Sequence, residues 1–148
     1  MKRMTVALAA DHAGFVLKTH LVGWLSRRGI ATADLGTDSE DAVDYPDFAE
    51  AVVGVLRNGD ADRGVLICGS GIGMSIAANR HRGIRAALAF DAEAARLARR
   101  HNDANILVLP GRRMSETEAE ACVDAFLAAA FEGGRHGRRL DKIAVGIA

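Results

Sequence analysis

The sequence is poor in aromatic residues and carries no excess charge of either sign. Phe, Trp and Tyr make up 5% of its 148 residues, and 19 Lys and Arg are balanced by 19 Asp and Glu. No net field therefore attracts a polyanion or an acidic membrane surface. The aromatic residues are also not interleaved with basic ones, as a platform that stacks single-stranded bases requires. We expect no nucleic acid among the partners.

Long hydrophobic runs, paired cysteines and metal-binding motifs are missing as well. No apolar stretch approaches the about 20 residues that a membrane-spanning helix needs, and the first residues lack the pattern of a signal peptide. A cytoplasmic protein without a membrane partner is expected. Cys68 and Cys122 lie far apart with no CxxC, which argues against a disulfide framework and a zinc site. Without an HExxH or EF-hand motif, we expect no metal and no cofactor.

The length and the hydrophobic content of 49% fit one domain over residues 1–148. Short apolar runs alternate with longer amphipathic ones, which is typical of parallel strands joined by crossover helices. The pattern predicts an α/β fold: a three-layer, doubly wound, Rossmann-like five-stranded parallel sheet with a C-terminal helix. Predicted strands cover residues 5–10, 30–34, 65–68, 84–90 and 106–109. Predicted helices cover residues 15–28, 46–58, 72–80, 91–100, 115–130 and a segment from 135 onward.

The strongest local signal follows the third predicted strand, where Cys68 leads into Gly69, Gly71 and Gly73. Three glycines in five positions let successive N–H groups converge on one point, which makes a cradle for an anion. Cys68 stands at the mouth of this loop and near a predicted helix N-terminus, an environment that favours a reactive thiolate. A structural interpretation is also open, in which the loop is a tight turn and Cys68 is a small buried residue.

Three known loops that bind phosphates or nucleotides fit this segment poorly. A P-loop would have Lys where Met74 stands, and a cysteine phosphatase would have Arg at that position, six residues after Cys68. A dinucleotide-binding loop would account for Gly69, Gly71 and the later Asp91, but it needs a small residue in place of Met74. A nucleotide-dependent oxidoreductase is kept as an alternative.

Polar residues also follow the first and fifth predicted strands. Asp11 and His12 could orient a polar ligand, or Asp11 could simply cap the following helix. Arg113 follows the fifth strand. Ligands of open α/β sheets bind beyond the carboxyl ends of the strands, where these side chains are expected.

A pair of polar residues belongs to the opposite edge of the predicted sheet. His101 and Asn102 close the fourth predicted helix just before a strand begins, so within one subunit they face away from Cys68. If they take part in the chemistry, a partner subunit must supply them.

Arg135 and Arg139 share one face of the last helix, where two guanidinium groups could bind one phosphate, although charged helix faces are often only solvated.

A series of short blocks runs in order over nearly the whole chain: DHAG at 11–14, DYP at 44–46, CGSGIG at 68–73, AANR at 77–80, GIRA at 83–86, HNDAN at 101–105 and EGGRH at 132–136. Together these blocks resemble the ribose-5-phosphate isomerase B family, to which galactose-6-phosphate and allose-6-phosphate isomerases are related. The resemblance implies a metal-free aldose–ketose isomerase that interconverts ribose 5-phosphate and ribulose 5-phosphate. It also implies a homodimer or a dimer of dimers with sites at the subunit interface.

The resemblance assigns roles to individual residues as well. Cys68 would move a proton between C2 and C1 of the sugar through a cis-enediolate, and Met74 indicates the branch of the family that uses a thiol. Ser70 and His101 would assist opening of the furanose ring. The residues implied to bind the phosphorylated sugar are Asp11, His12, Tyr45, Gly69, Gly71, Gly73, Asn102, Arg113, Arg135 and Arg139.

Other functions stay open on the sequence alone. The substrate could be a hexose 6-phosphate, either allose or galactose, because pocket size is not encoded in a local pattern. A sugar-phosphate sensor without catalysis would use the same scaffold. The nucleotide-dependent oxidoreductase is the alternative from a different enzyme class.

Overall fold

The computed structural model describes residues 3–145, which form one five-stranded parallel sheet with helices on both faces. The strands are β1 Thr5–Ala10, β2 Ala31–Asp34, β3 Arg63–Cys68, β4 Ala86–Leu88 and β5 Ile106–Pro110. The helices are α1 Phe15–Arg27, α2 Tyr45–Arg57, α3 Ile72–Ala78, α4 Ala92–Asn102, α5 Glu116–Ala128 and α6 Arg135–Val145.

The alternation of side chains along β1 explains the three layers. Val6 and Leu8 pack on one face of the sheet, Ala7 and Ala9 pack on the other, and all four are fully buried. Helices α1, α4 and α5 cover the first face, and α2 and α3 cover the second. The doubly wound α/β architecture expected from the sequence is confirmed.

The edge strand β4 is shorter than the predicted segment 84–90. The strand order is β2-β1-β3-β5-β4, so β4 pairs with β5 alone. The Asn79 side chain accepts the Ala86 N–H at 2.7 Å and donates to the Ala86 carbonyl at 2.8 Å. This pairing takes the place of a neighbouring strand, and it requires α3 to stop at Ala78, before the predicted end at residue 80.

Because all strands run in one direction, the sheet has a carboxyl edge, where Cys68 pairs with Pro110, and an amino edge, where Gly64 pairs with Ile106. Helix α6 packs at the amino edge through His136, its buried residue. The length of β3, at about 3.3 Å per residue, separates the two edges by ~16 Å. No helix within residues 3–145 is long and apolar enough to cross a membrane.

Candidate active site

The segment after β3, residues 69–73, forms a compact glycine loop at the carboxyl edge. Gly71 has a φ of +78°, and a Cβ added there would lie 2.4 Å from Leu88 Cδ1, so only glycine fits this turn. The Gly71 N–H donates to Cys68 Sγ at an N–S distance of 3.2 Å. The Ser70 hydroxyl oxygen accepts from the Ile72 N–H at 3.2 Å. The loop thus folds back over the thiol.

The two cysteines have different surroundings. Cys68 is 4% exposed and ends β3 beneath the glycine loop, with a backbone donor directed at its sulfur. Cys122 is fully buried within α5, and burial raises the pKa of its thiol to about 11. Cys122 is therefore an apolar core residue, whereas the Cys68 sulfur accepts from a backbone N–H at the carboxyl edge of the sheet.

Tyr45 is brought onto the glycine loop by the start of α2. A Cβ added at Gly73 would lie 2.4 Å from Tyr45 Cζ and 2.7 Å from its hydroxyl oxygen, so the missing side chain leaves room for the ring. Tyr45 is 38% exposed and therefore accessible from solvent. Tyr45 therefore packs against the glycine loop, and its part in lining a substrate pocket stays a prediction.

Asp11 and His12 order the turn that follows β1. Asp11 is buried, and its Oδ1 accepts from the N–H groups of Ala13 and Gly14 at 3.0 and 3.2 Å. His12 Nδ1 accepts from the Val43 N–H at 3.2 Å. A neutral imidazole whose Nδ1 accepts carries its proton on Nε2, so His12 offers an N–H to a ligand.

An open cleft of about 700 Å³ lies beside the loop, lined by Gly69, Ser70, Arg112 and Arg113. The segment after β5 is tied to the loop by two backbone bonds: the Gly111 N–H donates to the Cys68 carbonyl at 2.8 Å, and the Arg112 N–H donates to the Gly69 carbonyl at 3.1 Å. Both arginines are exposed. They make this cleft the positively charged entrance to the carboxyl edge.

The residues required for dinucleotide binding have other contacts. Asp91 caps α4, with its Oδ1 accepting from the Ala94 N–H at 2.8 Å. Met74 is fully buried between α3 and the sheet. These contacts leave the oxidoreductase alternative without support.

The other predicted site residues gather at the amino edge. His101 and Asn102 close α4, and the His101 ring stacks on the His136 ring with centroids 4.3 Å apart. Arg135 and Arg139 lie one turn apart on α6, both exposed. His101 and Asn102 thus lie at the opposite edge of the chain from Cys68, as the sequence predicts, and the structure adds Arg135 and Arg139 to that edge.

Glu132 lies beside the two stacked imidazoles. Its Oε1 lies 3.7 Å from Nε2 of His101 and 3.7 Å from Nε2 of His136. Its Oε2 accepts from Arg100 Nε at 2.8 Å, and this hydrogen bond lowers the pKa of the Glu132 carboxyl. Burial, reinforced by Arg135, lowers the pKa of His136.

The same side chains carry the ligand types of a metal site. Among residues 3–145, ligand atoms of His101, Glu132 and His136 all lie within 4.8 Å of one another. The two rings are within 12° of parallel, so their in-plane lone pairs run side by side and do not converge on one point. A tetrahedral ion needs converging ligands, and the geometry suits a charge pair better than a metal.

Comparison with known proteins decides the family. The family model described as Ribose/Galactose Isomerase matches residues 6–143. The chain belongs to this family. Ribose-5-phosphate isomerase B of Escherichia coli (strain K12) is 44% identical over 138 residues, 93% of this chain and 93% of that protein.

Two solved structures extend the comparison. A ribose 5-phosphate isomerase from Thermotoga maritima has a TM-score of 0.96 at 53% identity, covering 97% of this chain and 99% of that one. Ribose-5-phosphate isomerase B from Mycoplasma genitalium, with bound ribulose 5-phosphate, has a TM-score of 0.92 at 43% identity, covering 99% of this chain and 97% of that one. Membership of the ribose/galactose isomerase family confirms the resemblance and the enzyme class, an aldose–ketose isomerase.

Sequence reasoning about this family member assigns no role to Arg112, Glu132 or His136. Arg112 stands next to Arg113, but only the structure reveals its contact with Gly69, where an added Cβ would lie 3.3 Å from the guanidinium. Glu132 and His136 belong to the EGGRH block, in which the family resemblance assigns a role to Arg135 alone. Their meeting with α4 depends on how α6 packs, which no local pattern encodes.

Proposed function

We propose that this chain interconverts ribose 5-phosphate and ribulose 5-phosphate. A relative named for this activity is 44% identical to the chain, and a structure 43% identical to it holds ribulose 5-phosphate. The observation that carries the proposal is the Cys68 sulfur at the end of β3, 3.2 Å from the Gly71 nitrogen that donates to it. Enediolate chemistry requires a base and donors for developing negative charge at one point, and this loop combines them.

In the proposed mechanism, the Cys68 thiolate takes the proton from C2 of the open-chain aldose. The electron pair of that C–H bond forms the C1–C2 double bond, and negative charge moves onto O1, where N–H groups of the glycine loop stabilise it. The O2 proton then passes to O1. As the charge on O2 collapses into the ketone carbonyl, C1 takes its proton from the Cys68 thiol.

Ring opening precedes this step in the proposal, with Ser70 aligning the sugar and His101 moving the proton. The imidazole takes the proton from the anomeric hydroxyl, the bond between C1 and the ring oxygen breaks, and the imidazolium so formed gives the proton to the ring oxygen. Asp11 and Asn102 hold sugar hydroxyls. His101 is partly exposed, as a group that reaches a substrate on another subunit must be.

The phosphate is proposed to bind between the two edges when subunits meet. At the carboxyl edge, His12 offers its Nε2–H and Arg113 lines the open cleft. From the amino edge, Arg135 and Arg139 add two guanidinium groups from one face of α6. Anchoring the remote phosphate holds C1 and C2 against the base and so contributes to turnover.

A homodimer, alone or paired into a dimer of dimers, is part of the same proposal. Large apolar side chains are exposed near both edges: Ile72 and Ile76 on α3 are 55% and 60% exposed, and Ile143 and Val145 on α6 are 54% and 86% exposed. A twofold interface that covers both patches brings the amino edge of one copy to the carboxyl edge of the other. The residues so delivered are His101, Asn102, Arg135 and Arg139.

Initial rates with ribose 5-phosphate, allose 6-phosphate and galactose 6-phosphate test the substrate. The highest kcat/KM is expected for ribose 5-phosphate. Preference for a hexose phosphate would replace the substrate but keep the reaction, and binding without product would make the chain a sensor. A cytoplasmic location, expected from the sequence, belongs to the same proposal.

A further inference from the structure

The histidine pair, His101 and His136, consists of one accessible ring and one fixed ring. His136 is 6% exposed, and its Nε2 is buried without a hydrogen-bond partner. The His101 ring lies flat on it, 12° from parallel, and its side chain is 36% exposed. The buried ring therefore acts as a platform that sets the plane of the accessible one.

Glu132 supplies the charge that this pair lacks. Arg100 holds one carboxylate oxygen, which leaves the other oxygen equidistant from the two Nε2 atoms. The remaining charged groups that act on the pair or on Glu132 are cations: Arg100 on α4, and Arg135 and Arg139 on α6. Glu132 is thus the anion that can balance a proton on the accessible ring, His101.

We propose that Glu132 is a positioning residue for His101, with His136 as its platform. The carboxylate near Nε2 favours the tautomer of His101 that carries its proton on Nε2, which leaves the Nδ1 lone pair available to a sugar bound at the carboxyl edge of the partner subunit. While the imidazole carries the proton of the anomeric hydroxyl, the same carboxylate stabilises its positive charge. This inference rests on the proposed function, and it assigns Glu132 to ring opening alone.

A substrate that has no ring can show whether Glu132 acts in ring opening or only maintains the structure of the site. Ribulose 5-phosphate cannot close a furanose because its C5 oxygen carries the phosphate. Exchange of its C1 hydrogen for deuterium needs the Cys68 base but not ring opening. Turnover of ribose 5-phosphate needs both.

The experiment compares Glu132→Gln with Glu120→Gln in the full-length protein. Glu120 also faces a histidine, since its Oε2 lies 2.6 Å from His20 Nε2, but this pair joins α1 and α5 away from both groups of site residues. For each chain, kcat and KM are measured with ribose 5-phosphate, and deuterium incorporation at C1 of ribulose 5-phosphate is followed by NMR. Glu132→Asp serves as the variant that keeps the charge.

Glu132→Gln is expected to lower kcat by about tenfold, part of the roughly 10²–10⁴-fold that general acid–base catalysis contributes. KM and the deuterium exchange rate should stay within about twofold of wild type, Glu132→Asp should recover part of kcat, and Glu120→Gln should leave all three unchanged.

Two results would overturn the role of Glu132. One is a kcat no lower than that of Glu120→Gln. The other is a parallel fall of turnover and exchange, which would make Glu132 a structural clamp between α4 and α6. A wild-type chain without either activity would overturn the proposed function itself, and the inference with it.

Discussion

The two edges of the sheet hold their functional groups with different kinds of contact. At the carboxyl edge, main-chain groups do the positioning: the Gly71 N–H faces the Cys68 sulfur, and the Asp11 carboxylate is held by two backbone N–H groups. At the amino edge, long side chains hold one another, with Arg100, Glu132 and the histidine pair in one network. The proposed base thus has a fixed frame within one chain, whereas His101, Arg135 and Arg139 could join it only from a second copy.

Removing the thiol should have the largest effect. Cys68→Ala takes away the proposed base but no phosphate-binding group, so kcat is expected to fall at least about 10³-fold while the Kd for ribose 5-phosphate stays within about twofold. Steady-state kinetics and calorimetry measure the two quantities. Cys122→Ala is the control, since its core thiol should leave kcat unchanged. Near-normal turnover in Cys68→Ala would reject the base.

Removing one guanidinium at the amino edge should weaken binding more than turnover. Arg135→Ala and Arg139→Ala are each expected to raise KM by roughly 10- to 150-fold, the equivalent of about 1.5–3 kcal/mol for a lost charge-assisted contact. Arg138→Ala removes a neighbouring exposed guanidinium on α6 and should leave KM unchanged. Equal KM values in all three variants would remove the phosphate assignment.

Glycines with positive φ at both edges allow a comparison of packing. A Cβ at Gly71 would meet Leu88 at 2.4 Å, whereas nothing lies within 4 Å of a Cβ at Gly133, where φ is +71°. Substitution by Ala costs roughly 1–2 kcal/mol of backbone strain at either position, and the clash adds about 1–3 kcal/mol at Gly71 alone. Urea unfolding should therefore show the greater loss for Gly71→Ala. Equal losses of unfolding free energy in the two variants would mean that packing around Gly71 is no tighter than around Gly133.

Acidification should weaken the amino edge, with the smallest effect of the set. Burial and Arg135 keep the pKa of His136 below its ordinary 6.5, so the unfolded chain takes up a proton first as pH falls, and stability is lost below about pH 6.5. Glu132 adds to the loss only at lower pH, because Arg100 lowers its pKa. Between about pH 7.5 and 5.5, at fixed protein concentration, His136→Phe should show a smaller decline in unfolding free energy than wild type. Equal declines would contradict this origin.

The fold was predictable because its strands appear in the sequence as short apolar segments separated by polar residues. β5 is buried throughout and β1 is buried from Val6 onward, and the observed bounds of both strands differ from the predicted ones by a residue or less. The edge strand β4 was predicted too long. A run such as 84–90 looks like a strand throughout, and only the tertiary pairing of Asn79 with Ala86 decides where the ladder begins.

The candidate site was predictable where its chemistry is local in sequence. The glycine loop can be recognised from the sequence, because Cys68 and three glycines fall within six consecutive residues. Glu132 and His136 gave no such signal: a carboxylate and a histidine near the chain end are ordinary surface residues until α6 packs on α4. Whether they face His101 is decided by helix packing, which local residue types do not specify.

Mixing two inactive variants tests most directly whether one site is shared by two subunits. Cys68→Ala and His101→Asn chains are unfolded together, refolded as a mixture and assayed with ribose 5-phosphate. If Cys68 and His101 of different chains form one site, half of the random dimers contain one intact site, and about a quarter of wild-type activity returns. If each chain used its own pair, no activity would return above that of the separate variants, and the shared site would be contradicted.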